Sequence, residues 1–196
     1  MRRDIVTSAL AIVVLTVMLG LGYPLLVTGV AQVAFPSQAN GELIKAGRTV
    51  VGSKRIGQSF GGNPRYFQTR PSATTPADNP AATTFSNLGP NDSATEKEIT
   101  ANIQAYLKLE GPFLAGLHAS DVPVDAADTS ASGIDPDISL ANARIQAHRV
   151  AAVRHVPLSV VSGLIARNTD GRTLGIFGEP GVNVLELNLA LDRESH

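Results

Sequence analysis

Apolar positions are spread unevenly along this chain. From Ile5 to Phe35 no residue is charged, and Ile, Val, Leu, Ala and Gly dominate. A bilayer core about 30 Å thick needs roughly 20 such residues as helix. The polar members of the run include Thr7, Ser8, Thr16, Tyr23, Thr28 and Gln32, and Ser or Thr hydroxyls can bond back to a carbonyl one turn earlier. The run has no polar face before Tyr23 and exceeds the roughly 7–15 apolar residues of a signal peptide. It therefore reads as one retained transmembrane helix, residues 1–35, rather than a core helix or a cleaved leader. Pro24 removes a backbone donor and predicts a kink. Ser8, Gly20, Pro24 and Val30 mark the helix, and Gly20, Gly22 and Gly29 leave room for a neighbouring helix to approach. Arg2 and Arg3 lie just before the run, and Glu42 is the first charge after it. The positive-inside bias then keeps the N-terminus in the cytoplasm and places residues 36–196 outside.

Beyond Phe35 the pattern is that of one mixed α+β extracytoplasmic domain, residues 36–196. Pro36 to Gly41 ends the membrane helix, and Arg48–Ser53 reads as a strand centred on Val50 and Val51. Glycines 52, 57, 61 and 62 punctuate an irregular stretch. Thr69–Asp92 is a polar, proline-rich loop, too long for a mere connector and hence functional or mobile. Ser93–Glu110 has helical spacing, with Ser93 and Glu96 as a capping box and Ile99, Ile103, Tyr106 and Leu107 on one face; Gly111-Pro112 stops it. Val122–Asp128 predicts a helical turn. Ser139 caps a helix over Leu140–Arg154, whose apolar stripe reads Ala141, Ile145, His148 and Ala152. Ser159 caps a short helix bearing Val160, Val161, Leu164 and Ile165. Asn168–Gly171 reads as a turn, and Thr173–Phe177 and Val182–Leu191 as strands, the last from the alternation of Leu185, Leu187, Leu189 and Leu191.

Composition narrows the chemistry. The 196 residues are 43% hydrophobic with a formal net charge of −1, which argues against a nucleic-acid partner, since that needs a basic footprint. With no Cys, disulfides, thiol catalysis and thiolate metal sites are excluded. Gly47 to Lys54 nearly spells a phosphate-binding loop, but Ser53 and Lys54 are transposed relative to the Lys-Ser/Thr ending the chemistry requires, and a strand and its turn is the better reading. His118, His148, His155 and His196 share no ligand spacing, so no metal site is expected. Asp121, Asp125, Asp128, Asp135 and Asp137 lack the calcium-loop pattern and read as a solvated face. No Gly-x-Ser-x-Gly elbow is present, so no catalytic residue is assigned. Arg70, Pro71 and Ser72, the turn Ser130–Pro136, and Gln146 and Arg149 on one helix face point to a polar surface built by several segments.

Ordered motifs then identify a family. They are Tyr23-Pro24-Leu25 in the span, Gly52-Ser53 with Ile56-Gly57-Gln58 and Phe60, and Tyr66-Phe67 with Arg70-Pro71-Ser72-Ala73. Further on come Ser86-Asn87-Leu88-Gly89-Pro90, Val122-Pro123, Ser130 to Pro136, Ile138-Ser139, Gln146, Arg149-Val150-Ala151, and Val182 to Leu185 with Leu187-Asn188. Over essentially its whole length the chain resembles the C subunit of the bacterial Kdp potassium-transporting P-type ATPase. It departs from the family pattern at Thr84-Phe85, Leu140 and Gly181. The resemblance implies a non-catalytic accessory subunit of a high-affinity ATP-driven potassium uptake pump in the bacterial cytoplasmic membrane. Its implied partners are a channel-like potassium-binding subunit, a P-type ATPase subunit and a very small peptide subunit. It also implies a catalytic chaperone that raises the nucleotide affinity of the ATPase subunit, binding no cofactor alone and ATP only in complex. Gln146, following Ser139, is the nucleotide-contacting residue on that account, with Arg149 beside it. Arg70, Pro71, Ser72, Asn87 and Asp135 are the expected interaction surface. The predicted topology pulls against direct ATP contact, because the domain lies outside and ATP inside; a cap holding the channel-like subunit suits it better. A membrane-anchored extracytoplasmic hydrolase or ligand-binding module is the alternative that residues alone leave open.

Overall fold

The structure is a computed structural model that describes residues 1–194. It divides into two compact units, Met1–Val51 and the chain from Gly52 onward. In the first unit one apolar helix, Arg2–Ala34, is 33 residues long, or about 50 Å at 1.5 Å per residue. It comprises α1 (Arg2–Leu15), a π-helical stretch (Thr16–Gly22) and α2 (Tyr23–Ala34). The disturbance expected at Pro24 takes the form of that π-helical stretch: Tyr23 N donates to Met18 O, five residues back, so the wider turn absorbs the proline that follows. Every side chain from Arg2 to Ala34 is exposed except Ala31, which is half-buried. A short α3 (Pro36–Ala39) follows, then strands β1 (Leu43–Ala46) and β2 (Thr49–Ser53) paired across the two-residue turn Gly47-Arg48. Gly47 has φ +63° there, as a tight hairpin requires. The near-miss phosphate loop is thus a hairpin.

The second unit contains α4 (Ser93–Glu110), α5 (Val124–Ala127), β3 (Asp137–Ser139), α6 (Leu140–Arg154), α7 (Leu158–Arg167), β4 (Thr169–Asp170), β5 (Gly181–Asn183) and α8 (Val184–Glu194). A small antiparallel sheet of order β3-β5-β4 pairs Ile138 with Val182 and Thr169 with Val182. β3 runs directly into α6 and β5 into α8, so the sheet fixes where both helices start. The core gathers Phe67, Ile138, Ala143, Ala147, Val150, Val161, Leu164, Ile165, Val182, Val184, Leu187 and Leu191. Ala143 and Ala147 let the neighbouring elements approach α6 closely, which suits helix packing 8–10 Å apart.

Six expectations are corrected. Asp92, not Ser93, caps α4, accepting from Ala94 N; Pro157 precedes α7 and Ser159 lies inside it. Residues 169–170 form β4, and Thr173–Phe177 is a tight loop closed by one antiparallel bridge. Strand character ends at Asn183, and Val184–Glu194 is helical. The stripe read on α6 is inverted: Ala141 and Ala152 are exposed and Ile145 and His148 half-buried, while Asn142, Ala143, Gln146, Ala147, Arg149 and Val150 are buried. Ser139 does cap α6, accepting from Asn142 N. His155 ends that helix in the left-handed conformation, φ +58°.

Candidate functional site

The buried polar face of α6 meets the irregular segment 64–68, which joins no sheet. Backbone groups must be paired when buried, and here side chains do the pairing. Arg149 Nη1 donates to Pro64 O (2.6 Å) and Tyr66 O (2.9 Å). Arg154 Nε donates to Arg65 O (2.7 Å), and its guanidinium lies over the Tyr66 ring, 4.8 Å from the centroid. Asn188 on α8 accepts from Phe67 N and donates to Phe67 O. Gln146 accepts from Gln68 N and donates to Gln68 O. Arg149, fully buried, also holds Glu110 at the end of α4 through Nε (2.9 and 3.1 Å) and donates from Nη2 to Gln146 Oε1. Burial pushes the Glu110 carboxyl above its ordinary range, and the charge and hydrogen bond of Arg149 pull the other way.

The network continues to the start of α6. Gln146 Nε2 donates to Asn142 Oδ1, which also accepts from the Tyr106 hydroxyl. Asp125 accepts from Ser139 N, Ser139 Oγ and Asn142 Nδ2. Burial, with the nearby charges of Glu110 and Asp125, pushes the Tyr106 hydroxyl well up, so it remains a donor. Between α4, α5, α6 and residues 68–71 lies a pocket of about 270 Å³. Its wall includes Asn142, Gln146, Tyr106, Glu110 and Thr69. The lining offers amide, hydroxyl and apolar surface and one carboxylate, and among the described residues that line it none is basic.

Ser139, Gln146 and Arg149 are thus brought together, but each side chain is engaged in holding its own fold. Glu110, Asn142, Asp125, Tyr106 and Asn188 complete the network and escaped sequence reasoning. The spacing of Asn142, Gln146 and Arg149 on one helical face beside Ala143, Ala147 and Val150 was the available signal. Arg70, Pro71, Ser72 and Asp135 also converge. Arg70 pairs with Asp135 at 3.1 Å, Pro71 O accepts from Ser130 N, and Ser72 Oγ donates to Gly133 O. Gly133 has φ +72°, and a Cβ there would meet Thr74 and Thr84 at 2.6 Å, so glycine is required. Asn87 bonds locally to Phe85 O and is exposed. Ser8, Gly20, Pro24 and Val30 all lie exposed on the apolar helix. The aspartates do not form one solvated face: Asp125, Asp135 and Asp137 are half-buried and hydrogen-bonded, while Asp121 and Asp128 are exposed. His118, His148 and His155 lie on separate elements or turns, and His196 lies outside the described residues.

The family profile described as KdpC, K+-transporting ATPase, c chain, matches residues 5–193. The chain is similar to proteins named potassium-transporting ATPase KdpC subunit. One from Methylococcus capsulatus is 49% identical over 186 residues, 94% of this chain and 95% of the relative. One from Bradyrhizobium diazoefficiens is 45% identical over 205 residues, 98% of each. One from Mycobacterium tuberculosis is 44% identical over 193 residues, 98% of this chain and all of the relative.

Proposed function

The chain belongs to the KdpC family, an accessory subunit of the potassium-transporting ATPase, and on that premise we propose that it is an anchored extracytoplasmic cap. In this reading the apolar helix assembles with the membrane subunits of the pump in the bacterial cytoplasmic membrane. The α+β unit stands outside and holds the channel-like potassium-binding subunit, and the P-type ATPase and small peptide subunits complete the partners. The observation that carries the reading is the commitment of Arg149 and Gln146 to the unit's own backbone and to Glu110, which leaves a docking body rather than a reaction centre. Arg2 and Arg3 before the apolar helix support the outward orientation. Arg70, Pro71, Ser72 and Asp135, stitched into one loop surface with Asn87 nearby in sequence, are the proposed contact residues. The test has two readouts. The chain should co-purify with tagged pump subunits, and a C-terminal reporter that works only outside the cytoplasm should be active. A reporter active only inside would overturn the cap.

One observation favours a second reading, in which the chain raises the ATP affinity of the ATPase subunit by touching nucleotide in the complex. Gln146 and Asn142 line the 270 Å³ pocket. Triphosphate there would face Glu110 without a basic partner in the lining, so base or sugar is the part such a pocket suits. Gln146→Ala separates the cases. A nucleotide role predicts a raised KM for ATP in fully assembled pump. A structural role predicts lower yield of assembled complex with KM unchanged, because the Gln68 backbone and Arg149 lose bonded partners worth about 1–3 kcal/mol when buried.

A further inference from the structure

Residues 172–179 form a projecting loop with an unusual tip. Thr173 and Phe177 exchange both backbone hydrogen bonds, at 2.8 and 3.0 Å, closing a loop of Leu174, Gly175 and Ile176. Gly175 N donates to Arg172 O, and one Nη of Arg172 donates to both carboxylate oxygens of Glu179, at 2.7 and 2.8 Å. Leu174, Ile176 and Phe177 are 85%, 70% and 61% exposed. Leu174 has φ +55°, a region that disfavours a bulky side chain. Folding of the unit gains little from three exposed apolar side chains, and the left-handed leucine opposes it. A pre-shaped apolar tip with a polar collar is the anatomy of an interface anchor, a buried apolar centre inside a polar rim.

We propose that Leu174, Ile176 and Phe177 seat in an apolar socket on an extramembrane face of another subunit of the potassium-transporting ATPase. The proposal rests on the reading of the chain as a docking subunit of that pump. Two observations favour a protein socket over lipid. Lipid conforms to whatever enters it, so it gives no reason to hold a strained, defined shape, whereas a socket rewards pre-organisation. Attraction to an anionic bilayer needs unpaired basic residues, yet Arg172 is neutralised by Glu179, and Arg167 faces Glu194 at 3.6 Å.

Leu174→Asn tests the anchor without endangering the loop. Asparagine tolerates the left-handed region, so the full chain in detergent should melt at the same temperature or higher. Its retention on tagged pump subunits should nonetheless fall about 10-fold, as expected for loss of a central anchor. Equal retention of the variant and the parent overturns the anchor while leaving the pump-subunit reading intact; no retention of the parent overturns that reading itself. The absence of Cys supplies an independent measurement. Ile176→Cys is modified by a water-soluble maleimide, with Thr100→Cys on the exposed side of α4 as reference. The expected result is rapid modification in phosphatidylcholine–phosphatidylglycerol vesicles holding this chain alone, and at least ~10-fold slower modification in assembled pump. Slow modification in vesicles with the chain alone assigns the tip to the membrane and overturns the proposal, as does rapid modification in assembled pump.

Discussion

Arg149 joins three parts of the fold: α6, the end of α4 and the irregular segment 64–68. Removing it by Arg149→Met leaves the Glu110 carboxyl buried without its cation and the Pro64 and Tyr66 carbonyls without donors. Breaking such a pair costs about 3–5 kcal/mol, and urea unfolding of the full chain in detergent should show it. Arg149→Lys should recover little of that loss, because an ammonium cannot reproduce the planar set of donors. Adding Glu110→Gln to Arg149→Met should recover only part, since the two carbonyls stay unpaired. The role of Ser139 as a cap was legible because a cap is local. The role of Arg149 was not, because its partners lie 39, 83 and 85 residues away in sequence and helical spacing alone cannot name them. Titration gives a second test at this scale. Burial raises the carboxyls of Asp78 and Asp137, as it does Glu110. A carboxyl with a raised folded pKa binds protons more readily when native, so its contribution favours the fold below the unfolded value and is lost as pH rises through the folded one. Asp78 has φ +57° and accepts from Thr69 Oγ1. Asn suits both the backbone and the bond, so Asp78→Asn should flatten the decline in stability above the ordinary carboxylate range and raise stability at neutral pH. An unchanged pH profile of melting temperature would contradict this.

Among the elements, α4 and α7 were legible from apolar period and punctuation and α6 from its Ser139 cap, while α8 was not. Leu185, Leu187, Leu189 and Leu191 alternate as in a strand, but Val184, Leu187, Asn188 and Leu191 also recur at helical spacing, and short runs satisfy both periods. Propensity and capping decide it. After Val184 the segment has no β-branched residue and is rich in Leu, with Glu186, Ala190 and Glu194, which favour helix. Asn183 accepts from Glu186 N, the Asn-x-x-Glu start signal that the alternation obscured. The α6 stripe failed for a related reason: its inward face carries Asn142, Gln146 and Arg149, so polarity marked the core side. Leu187 and Leu189 distinguish the two geometries. In a strand they would share a face and respond alike. In the helix Leu187 is fully buried and Leu189 half-buried. Leu187→Ala should therefore cost about 2–5 kcal/mol and Leu189→Ala markedly less, measured by urea unfolding of the full chain in detergent.

For the molecule as a whole, the sequence made plain one long apolar helix and an α+β body, because a bilayer demands an uncharged run that no other element needs. It also offered Gly20 and Gly22 as room for a neighbouring helix, but not the π-helical stretch that holds them. Lipid tails offer helices no hydrophobic reason to associate, so small residues and polar groups must supply the contacts. Gly20 and Gly22 sit in the π-helical stretch, next to Tyr23-Pro24, where the wider turn and the missing proline donor change which carbonyls are paired within the helix. Such a stretch, exposed along its whole length, gives a neighbouring helix both close approach and a carbonyl to bond. If the helix served only as a tether, an unrelated apolar helix of equal length would replace it. We expect such a replacement to leave the α+β unit folded and membrane-bound but to lower the amount of this chain retained on a tagged channel-like subunit in mild detergent, with slower growth in low potassium. Gly20→Leu with Gly22→Leu should cause part of the same loss, because branched side chains fill the groove. Combined with Leu174→Asn, the two losses should add, since distant and independent sites add in free energy. Full retention and full growth with the replaced helix would assign assembly to the α+β unit alone.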